Sequence, residues 1–331
     1  MIVDFEQALA FFNKIDNHKK SFYYHPLFVE ASSQESNDLE PIYFVKEEQG
    51  QIFYHAALIG DIGFENYKDL QTPYGYGGPL ILGDEVFKAR VIDEYNSLCN
   101  EYRILVEFVR FHPLIKNEKY YYGDILNNRN TVSINLNIEN IFKSFSTRVK
   151  TALRATEKNS IQVIASKDEY YIDKFYEIYT SLMNQKQASE EYFFSKKYIK
   201  SLLEHKDVYL FNALTEKGEI LGGAIFMICD ELADYHLSAT TSAGRTLNIS
   251  HLLLYKFSEF AKTQNVQKLY LGGGTNNDPA NSLLFFKQGF SKDIHPFLIG
   301  YKIFNTLKYE EFNRIYLNNT DNRKDRILFY R

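Results

Sequence analysis

The chain has 331 residues, 45% hydrophobic and 24% charged, which suits two compact domains and argues against a disordered chain. Its formal net charge of −4 lacks the basic excess of a DNA-binding protein, and no apolar run approaches the ~20 residues that span a bilayer. Cys99 and Cys229 are the only two cysteines; they stand in apolar or helix-like stretches without metal-ligand spacing and read as buried small hydrophobes in a reducing compartment.

In chain order, Met1–Phe12 lacks a basic segment followed by an apolar one, so no secretion signal is expected and the protein is assigned to the cytoplasm. Phe5–Ile15 reads as an amphipathic helix. Pro41–Val45 and Gln51–Leu58 alternate as strands around a turn at Glu47–Gly50. Thr72–Leu82 carries Gly75, Gly77, Gly78 and Pro79, which forbid a helix and predict a shaped loop entering a strand. Asp84 caps a helix predicted to run to Tyr102, and Ile104–Phe111 is a buried strand ending at His112.

A second cycle starts at the predicted strand Thr131–Leu136. A basic helix over Asn140–Asn159 follows, then a strand at Ile161–Ala165 and helices over Asp168–Lys186 and Ser195–His205. Strands are predicted at Val208–Leu214, Ile220–Cys229 and Leu232–Thr240, a helix over Asn248–Gln264, and a strand at Val266–Leu271 that runs into Gly272, Gly273 and Gly274. A short helix at Pro279–Gln288 capped by Gly289, a strand at Ile294–Ile303 and a polar tail at Asn318–Lys324 complete the chain. Strands, then a helix, then a strand ending at a loop, twice over, make a mixed α/β pattern.

In the second half, the order of strands, helix, strand, glycine run, helix and strand matches the acetyltransferase (GNAT) topology. Four stretches then resemble the Fem family of aminoacyl transferases and Fem-like acetyltransferases. They are Gly78-Pro79-Leu80; Arg148–Val163 (RVKTALRATEKNSIQV); Tyr235–Leu254 (YHLSATTSAGRTLNISHLLL); and, most specific, Leu269–Phe290 (LYLGGGTNNDPANSLLFFKQGF). The chain departs from peptidoglycan-type members in having no Trp, in placing Met183–Lys186 where an Arg is usual, and in lacking a long helical hairpin insertion.

The resemblance implies an α/β protein of two tandem GNAT-like domains, residues 1–135 on the acceptor side and 136–331 on the donor side. It implies an aminoacyl or acyl group moved onto an amine of a peptidoglycan precursor or other envelope sugar. No permanently bound cofactor is implied; aminoacyl-tRNA or acyl-CoA is the donor co-substrate. The partners are a small-molecule envelope precursor or amino sugar, with tRNA on the donor side and no DNA. The donor is expected near Arg245 and Lys287, and the acceptor in a cleft between the halves.

Acyl transfer to an amine requires a neutral amine, a stabilised oxyanion and close placement of both substrates, with no nucleophilic Ser or Cys. By resemblance Lys287 faces the donor carbonyl or its phosphates; without it, Lys287 is a solvated lysine in the last turn of a helix. His236 is a candidate proton acceptor on the central strand, beside Tyr235 and Ser238. Gly272, Gly273 and Gly274 open a loop at a strand end, where clefts of open α/β sheets lie, and Phe286 is a donor-channel wall or a core residue. Arg245 and Asn248 belong to the stretch matching the pyrophosphate turn of acyl-CoA enzymes, in which Asn248 and Ser250 replace small residues. On the acceptor side stand Tyr74, Tyr76, Arg110, His112, Tyr235 and Asn276, the last near Asn277 and the helix-capping Asp278. Arg148, Lys150, Arg154 and Lys158 form a basic helix that is either a contact for tRNA phosphates or a solvated face. Two other readings stay open: a CoA-dependent amino-sugar acetyltransferase, and a non-catalytic binding module of the same fold.

Overall fold

A computed structural model describes residues 1–278, 280–317 and 326–331. The predicted tail Asn318–Lys324 and the predicted helix start at Pro279 therefore lie outside the described residues. The elements are β1 (Ile2–Val3), α1 (Phe5–Lys14), α2 (Pro26–Ser33), β2 (Leu39–Glu48), β3 (Gln51–Asp61), β4 (Lys68–Gln71), β5 (Leu80–Leu82), α3 (Glu85–Glu101) and β6 (Ile104–Arg110). The chain continues through β7 (Asp124–Asn135), α4 (Ile141–Ser144), α5 (Thr147–Glu157), β8 (Gln162–Ala165), α6 (Glu169–Gln185), α7 (Lys196–Leu203), β9 (Val208–Leu214), β10 (Ile220–Cys229) and β11 (Leu232–Thr240). It ends with α8 (Ser242–Thr246), α9 (Ile249–Thr263), β12 (Lys268–Gly273), α10 (Ser282–Gln288), β13 (Asp293–Ile303) and α11 (Thr306–Leu317).

Two compact units result. One comprises Met1–Lys19, Tyr23–Asn128 and Phe297–Arg331; the other comprises Lys20–Phe22 and Arg129–Pro296. This differs from a single cut at residue 135, which places the whole C-terminal stretch in the second domain. The reason is strand pairing across the sequence: Ile299–Ile303 of β13 lies antiparallel to Val106–Arg110 of β6.

In the first unit, β2 and β3 form a long hairpin, β4 pairs with β3 and lies parallel to β6, and β5 pairs with β3. Asp84 caps α3 through the Phe87 amide (2.8 Å), as its sequence position predicts. The apolar face of α3 (Phe87, Val91, Tyr95 and Cys99) packs on Phe44, Phe53 and Ile81, which accounts for the burial of Cys99. Within this core lies a carboxylate that no motif flags. Glu107, fully buried, accepts from Tyr95 (2.7 Å), Tyr121 (3.0 Å) and Tyr122 (3.0 Å) and pairs with His55 Nε2 (3.0 Å). Burial pushes its carboxyl up, but these partners outweigh that and hold it below the usual range. The chain's last residues close the unit: Arg331 grips buried Asp69 through Nε (2.8 Å) and Nη2 (2.7 Å).

In the second unit the strand order is β7-β12-β11-β10-β9-β8. All neighbours are antiparallel except β11 and β12. Helices α5 and α9 cover one face, with Phe257 of α9 stacked on Phe226 of β10 at 3.8 Å between ring centroids. Full burial of each such ring contributes about 1.5–3 kcal/mol. The predicted helix over 140–159 breaks at Phe145: Ser146 accepts from the Val149 amide and starts α5 afresh. Helix α8, unexpected from its Thr-Ser-Ala-Gly sequence, starts at the Thr241 cap.

Candidate active site

The parallel ladder of β11 and β12 joins Leu232–Asp234 to Lys268–Tyr270 and stops there. Beyond it β11 runs on to Thr240 beside β10, and β12 runs on to Gly273 beside β7. Two parallel strands thus cease to be bonded toward their C-terminal ends, the kind of opening at which α/β sheets take up ligands. The β10 register matches Ile225 to Leu237 and Phe226 to Tyr235, so His236 is the extra residue of a β-bulge at this opening.

The glycine run leaves β12 here. Gly272 has φ +74°, a conformation that disfavours side chains. A Cβ on Gly273 would lie 2.7 Å from the Asn130 carbonyl oxygen and 3.2 Å from Arg129 Cδ, and one on Gly274 would collide with the Asn281 side chain. The third position is therefore glycine for lack of space. Asn281 ties the loop to α10: Oδ1 accepts from the Leu283 (3.0 Å) and Leu284 (3.1 Å) amides, while Nδ2 donates to Thr275 (2.7 Å) and Asn276 (2.9 Å). Asn276 thus helps to brace the loop.

Lys287 is 7% exposed, and its Nζ donates to the Gly273 carbonyl at 2.7 Å. The solvated reading of this lysine does not hold. Burial pushes its amine down to about 7, and the Arg129 guanidinium adds to that shift. Arg129, from β7, donates to the next carbonyl, Gly274 O, at 2.9 Å. Two basic side chains therefore hold two successive carbonyls of one loop. Near neutral pH a substantial fraction of Lys287 is an uncharged amine able to take up a proton.

His236 meets the Tyr198 hydroxyl at 2.8 Å, and burial pushes its pKa down to about 3. It is a neutral hydrogen-bonding group at physiological pH and a weak proton acceptor. Tyr235 stacks on Phe226 and donates to Ser238 Oγ. Arg245 turns back onto the end of β11, donating to Thr240 O (3.2 Å) and Ser242 Oγ (2.8 Å). Asn248 joins α8 to α9 with φ 58°. The amides of this stretch have partners within it: Gly244 N to Thr241 Oγ1 (3.0 Å), Arg245 N to Thr241 O (2.9 Å), Leu247 N to Ala243 O (3.0 Å) and Asn248 N to Arg245 O (3.1 Å). A pyrophosphate cradle made of these amides would require α8 to unwind. Phe286 packs edge-on against His251 at 4.8 Å and lies partly buried against the core.

The remaining acceptor candidates lie in the first unit. Tyr76 sits edge-on to His112 (5.0 Å), Tyr23 (5.1 Å) and Phe297 (5.3 Å). His112 is fully buried and its Nδ1 accepts from the Leu114 amide (3.2 Å). Arg110 lies over Phe108 and donates to Thr72 O (3.1 Å), and Tyr74 is exposed. The structure brings Tyr76 and His112 into one aromatic cluster and binds Arg110 to the loop that carries Tyr74 and Tyr76. On the basic helix, Arg148, Arg154 and the capping Lys158 are exposed and Lys150 is half-buried. Arg148 also donates to Phe285 O (2.6 Å) and lies over the Phe285 ring.

Sequence reasoning missed Arg129 and Asn281. Arg129 stands in a polar Asn-Asn-Arg-Asn run that resembles a turn, and only the β7–β12 register brings it to the glycine loop. Asn281 was legible in principle as a cap three residues before an apolar helix turn. Among the described residues no group of three or more His, Cys, Asp or Glu could hold a metal ion, and no helix is long and apolar enough to cross a membrane. A groove of about 890 Å³ on the outer face of α3, lined by Met1, Val86 and Leu98, contains none of the candidate residues.

No family model and no curated protein matches this sequence. Among solved structures it is similar to FemX, with a TM-score of 0.72 and 14% identity over 94% of this chain and 98% of that chain. It is similar to L-PGS from Bacillus licheniformis, with a TM-score of 0.63 and 12% identity over 93% of this chain and 95% of that one. A C-terminal domain assigned to lysylphosphatidylglycerol synthetase from Agrobacterium fabrum has a TM-score of 0.61 and 10% identity over 95% of this chain and 98% of its own. At these identities the likeness is one of fold. The expected Fem-like mixed α/β fold is the fold found.

Proposed function

We propose that this chain is a Fem-type transferase that moves an aminoacyl or acyl group onto an amine, with Lys287 at the reacting centre. The observation that carries this reading is the buried Lys287 amine on Gly273 O, beside the place where β11 and β12 separate. An acceptor amine is largely protonated at neutral pH and must lose a proton to attack. Uncharged Lys287 is suited to accept that proton, and the charged form that results stabilises the oxyanion. The C–N bond then forms to give the tetrahedral oxyanion; its collapse breaks the carbonyl's bond to the donor oxygen, which takes the proton held by Lys287, while the second proton of the attacking nitrogen is lost to solvent as the amide forms. No covalent acyl-enzyme is required.

Aminoacyl-tRNA is the donor this reading prefers. Within the matching stretch Arg245–Ser250 the Arg245, Leu247 and Asn248 amides are already bonded, which leaves fewer amides for the pyrophosphate of an acyl-CoA, and Arg148, Arg154 and Lys158 offer positive charge on an exposed helix. Tyr74, Tyr76, Arg110 and His112 are assigned to recognition of the acceptor, an amine-bearing envelope precursor or amino sugar, in the cytoplasm. The FemX and lysylphosphatidylglycerol synthetase folds support a transferase of this kind.

The test is titration of the purified protein with a mixed aminoacyl-tRNA pool and with acetyl-CoA, each at low and high salt. Salt-sensitive tRNA binding without CoA binding is expected. Stoichiometric acetyl-CoA binding without tRNA binding would transfer the protein to the CoA-dependent sugar acetyltransferases.

A further inference from the structure

Lys287 and Arg129 occupy adjacent carbonyls of one loop, and Gly273 makes this arrangement sterically available. The β7–β12 ladder ends at the pair Gly273 and Thr131, and Arg129 lies two residues past it. Its side chain runs across Gly273, with Cδ 3.2 Å from where a Cβ would stand, to reach Gly274 O at 2.9 Å. Lys287 approaches the preceding carbonyl, Gly273 O, at 2.7 Å. A glycine too confined for a side chain, an arginine lying along it and a lysine on its carbonyl form one interlocked unit.

We propose that Arg129 is a positioning residue for Lys287: it fixes the glycine loop that Lys287 bonds to and keeps a permanent positive charge beside the lysine amine. This rests on Lys287 being the reacting group. Other titratable groups on neighbouring elements are Lys268 and Tyr270 of β12, Arg148 of α5, bonded to Phe285 O, and His251 of α9, against Phe286. Burial and Arg148 push His251 down to about 4, so it is neutral near pH 7. Besides burial, the charge that shifts the Lys287 amine is that of Arg129. A guanidinium stays charged throughout the working range, whereas a lysine at the same place would share its protons with Lys287 at high pH.

The experiment is a pH titration of full-length protein carrying 13Cε-lysine, followed by NMR, with the Lys287 signal assigned by its loss in Lys287→Met. Wild type is expected to titrate near 7. Arg129→Gln keeps a donor for Gly274 O and removes the charge; its Lys287 midpoint is expected to rise by roughly 0.5 in pH or more. Arg129→Lys keeps the charge and is expected to stay near the wild-type midpoint. Should Arg129→Gln unfold, Arg129→Met, which keeps the apolar stem along Gly273, is the second uncharged variant. An uncharged variant that folds and titrates like wild type would overturn the proposal. The titration needs no substrate, so absence of transfer by the wild type would count against the transferase reading and leave this measurement intact. Where transfer is observed, the acid limb of kcat/KM should shift upward with the Lys287 midpoint, a change that a merely structural role would not produce.

Discussion

Lys287 Nζ donates a 2.7 Å hydrogen bond to the carbonyl of Gly273, fourteen residues earlier and across the glycine loop. That bond turns a lysine in a short helix inward, so the amine is desolvated without a carboxylate among its hydrogen-bond partners in the described structure. Its lowered pKa and its proposed place in the chemistry both follow from this geometry.

Replacing Lys287 by Met should separate stability from activity. A lysine in the unfolded chain titrates near 10.4, whereas burial holds Lys287 at about 7. Between those values the unfolded chain binds more protons, so wild-type stability rises with pH across that window. Lys287→Met is expected to gain about 1–3 kcal/mol at pH 7 and below, with the gain fading toward pH 10. Transfer should fall by roughly 100-fold or more. Urea melts at several pH values, paired with the transfer assay, check both.

Gly274→Ala places a methyl group against Asn281, the residue that caps α10 and ties the loop together. The expected result is a retained fold, a loss of about 1–3 kcal/mol, and reduced transfer because Lys287 and Gly273 move apart. Gly63→Ala is a control with no atom near the added Cβ, although its φ of +68° carries a backbone cost of its own. Wild-type activity in Gly274→Ala would show that the loop's position is unimportant.

His236 is predicted not to supply the working base. Burial holds its pKa at about 3, so His236→Asn should leave the pH profile of transfer between pH 6 and 9 unchanged. An unfolded histidine titrates near 6.5, so the unfolded chain binds more protons below that value and wild-type stability declines on acidification down to about 3. His236→Phe should weaken that decline, as acid melts would show.

The first unit should depend on its last residue. Arg331 makes two hydrogen bonds to Asp69, which is fully buried. Arg331→Ala leaves a buried carboxylate without its counter-charge, with the Tyr330 hydroxyl (3.1 Å) as a remaining donor, and is expected to cost about 2–4 kcal/mol. Asp69→Asn with Arg331→Ala should restore part of the loss, which a double-mutant cycle by chemical denaturation measures.

Much of the fold was legible because periodicity and caps are local signals. Asp84 begins α3 where a capping residue should, and β9, β10 and β11 keep the predicted bounds Val208–Leu214, Ile220–Cys229 and Leu232–Thr240. The exceptions depend on distant partners. The polar start of β7, Asp124–Asn130, has no strand pattern, and the return of β13 to β6 is a pairing across almost two hundred residues, invisible to any window. Ser146 re-caps a helix that amphipathicity alone joins to α4, and Glu107 hides in an apolar strand because its partners come from β3, α3 and the segment before β7. At the site, Lys287 was reached through the Phe-Lys stretch, but its burial was not, since a lysine in the last turn of a helix ordinarily faces water. Arg129 was not legible at all.

The most direct test of the central claim is transfer of labelled amino acid from an aminoacyl-tRNA pool to an amine-bearing envelope-precursor fraction, by wild type and Lys287→Met, across pH 6 to 9. The account predicts wild-type transfer that rises through an acid limb near pH 7 and is lost in a folded Lys287→Met. Transfer by folded Lys287→Met equal to wild type, with the same acid limb, would contradict it.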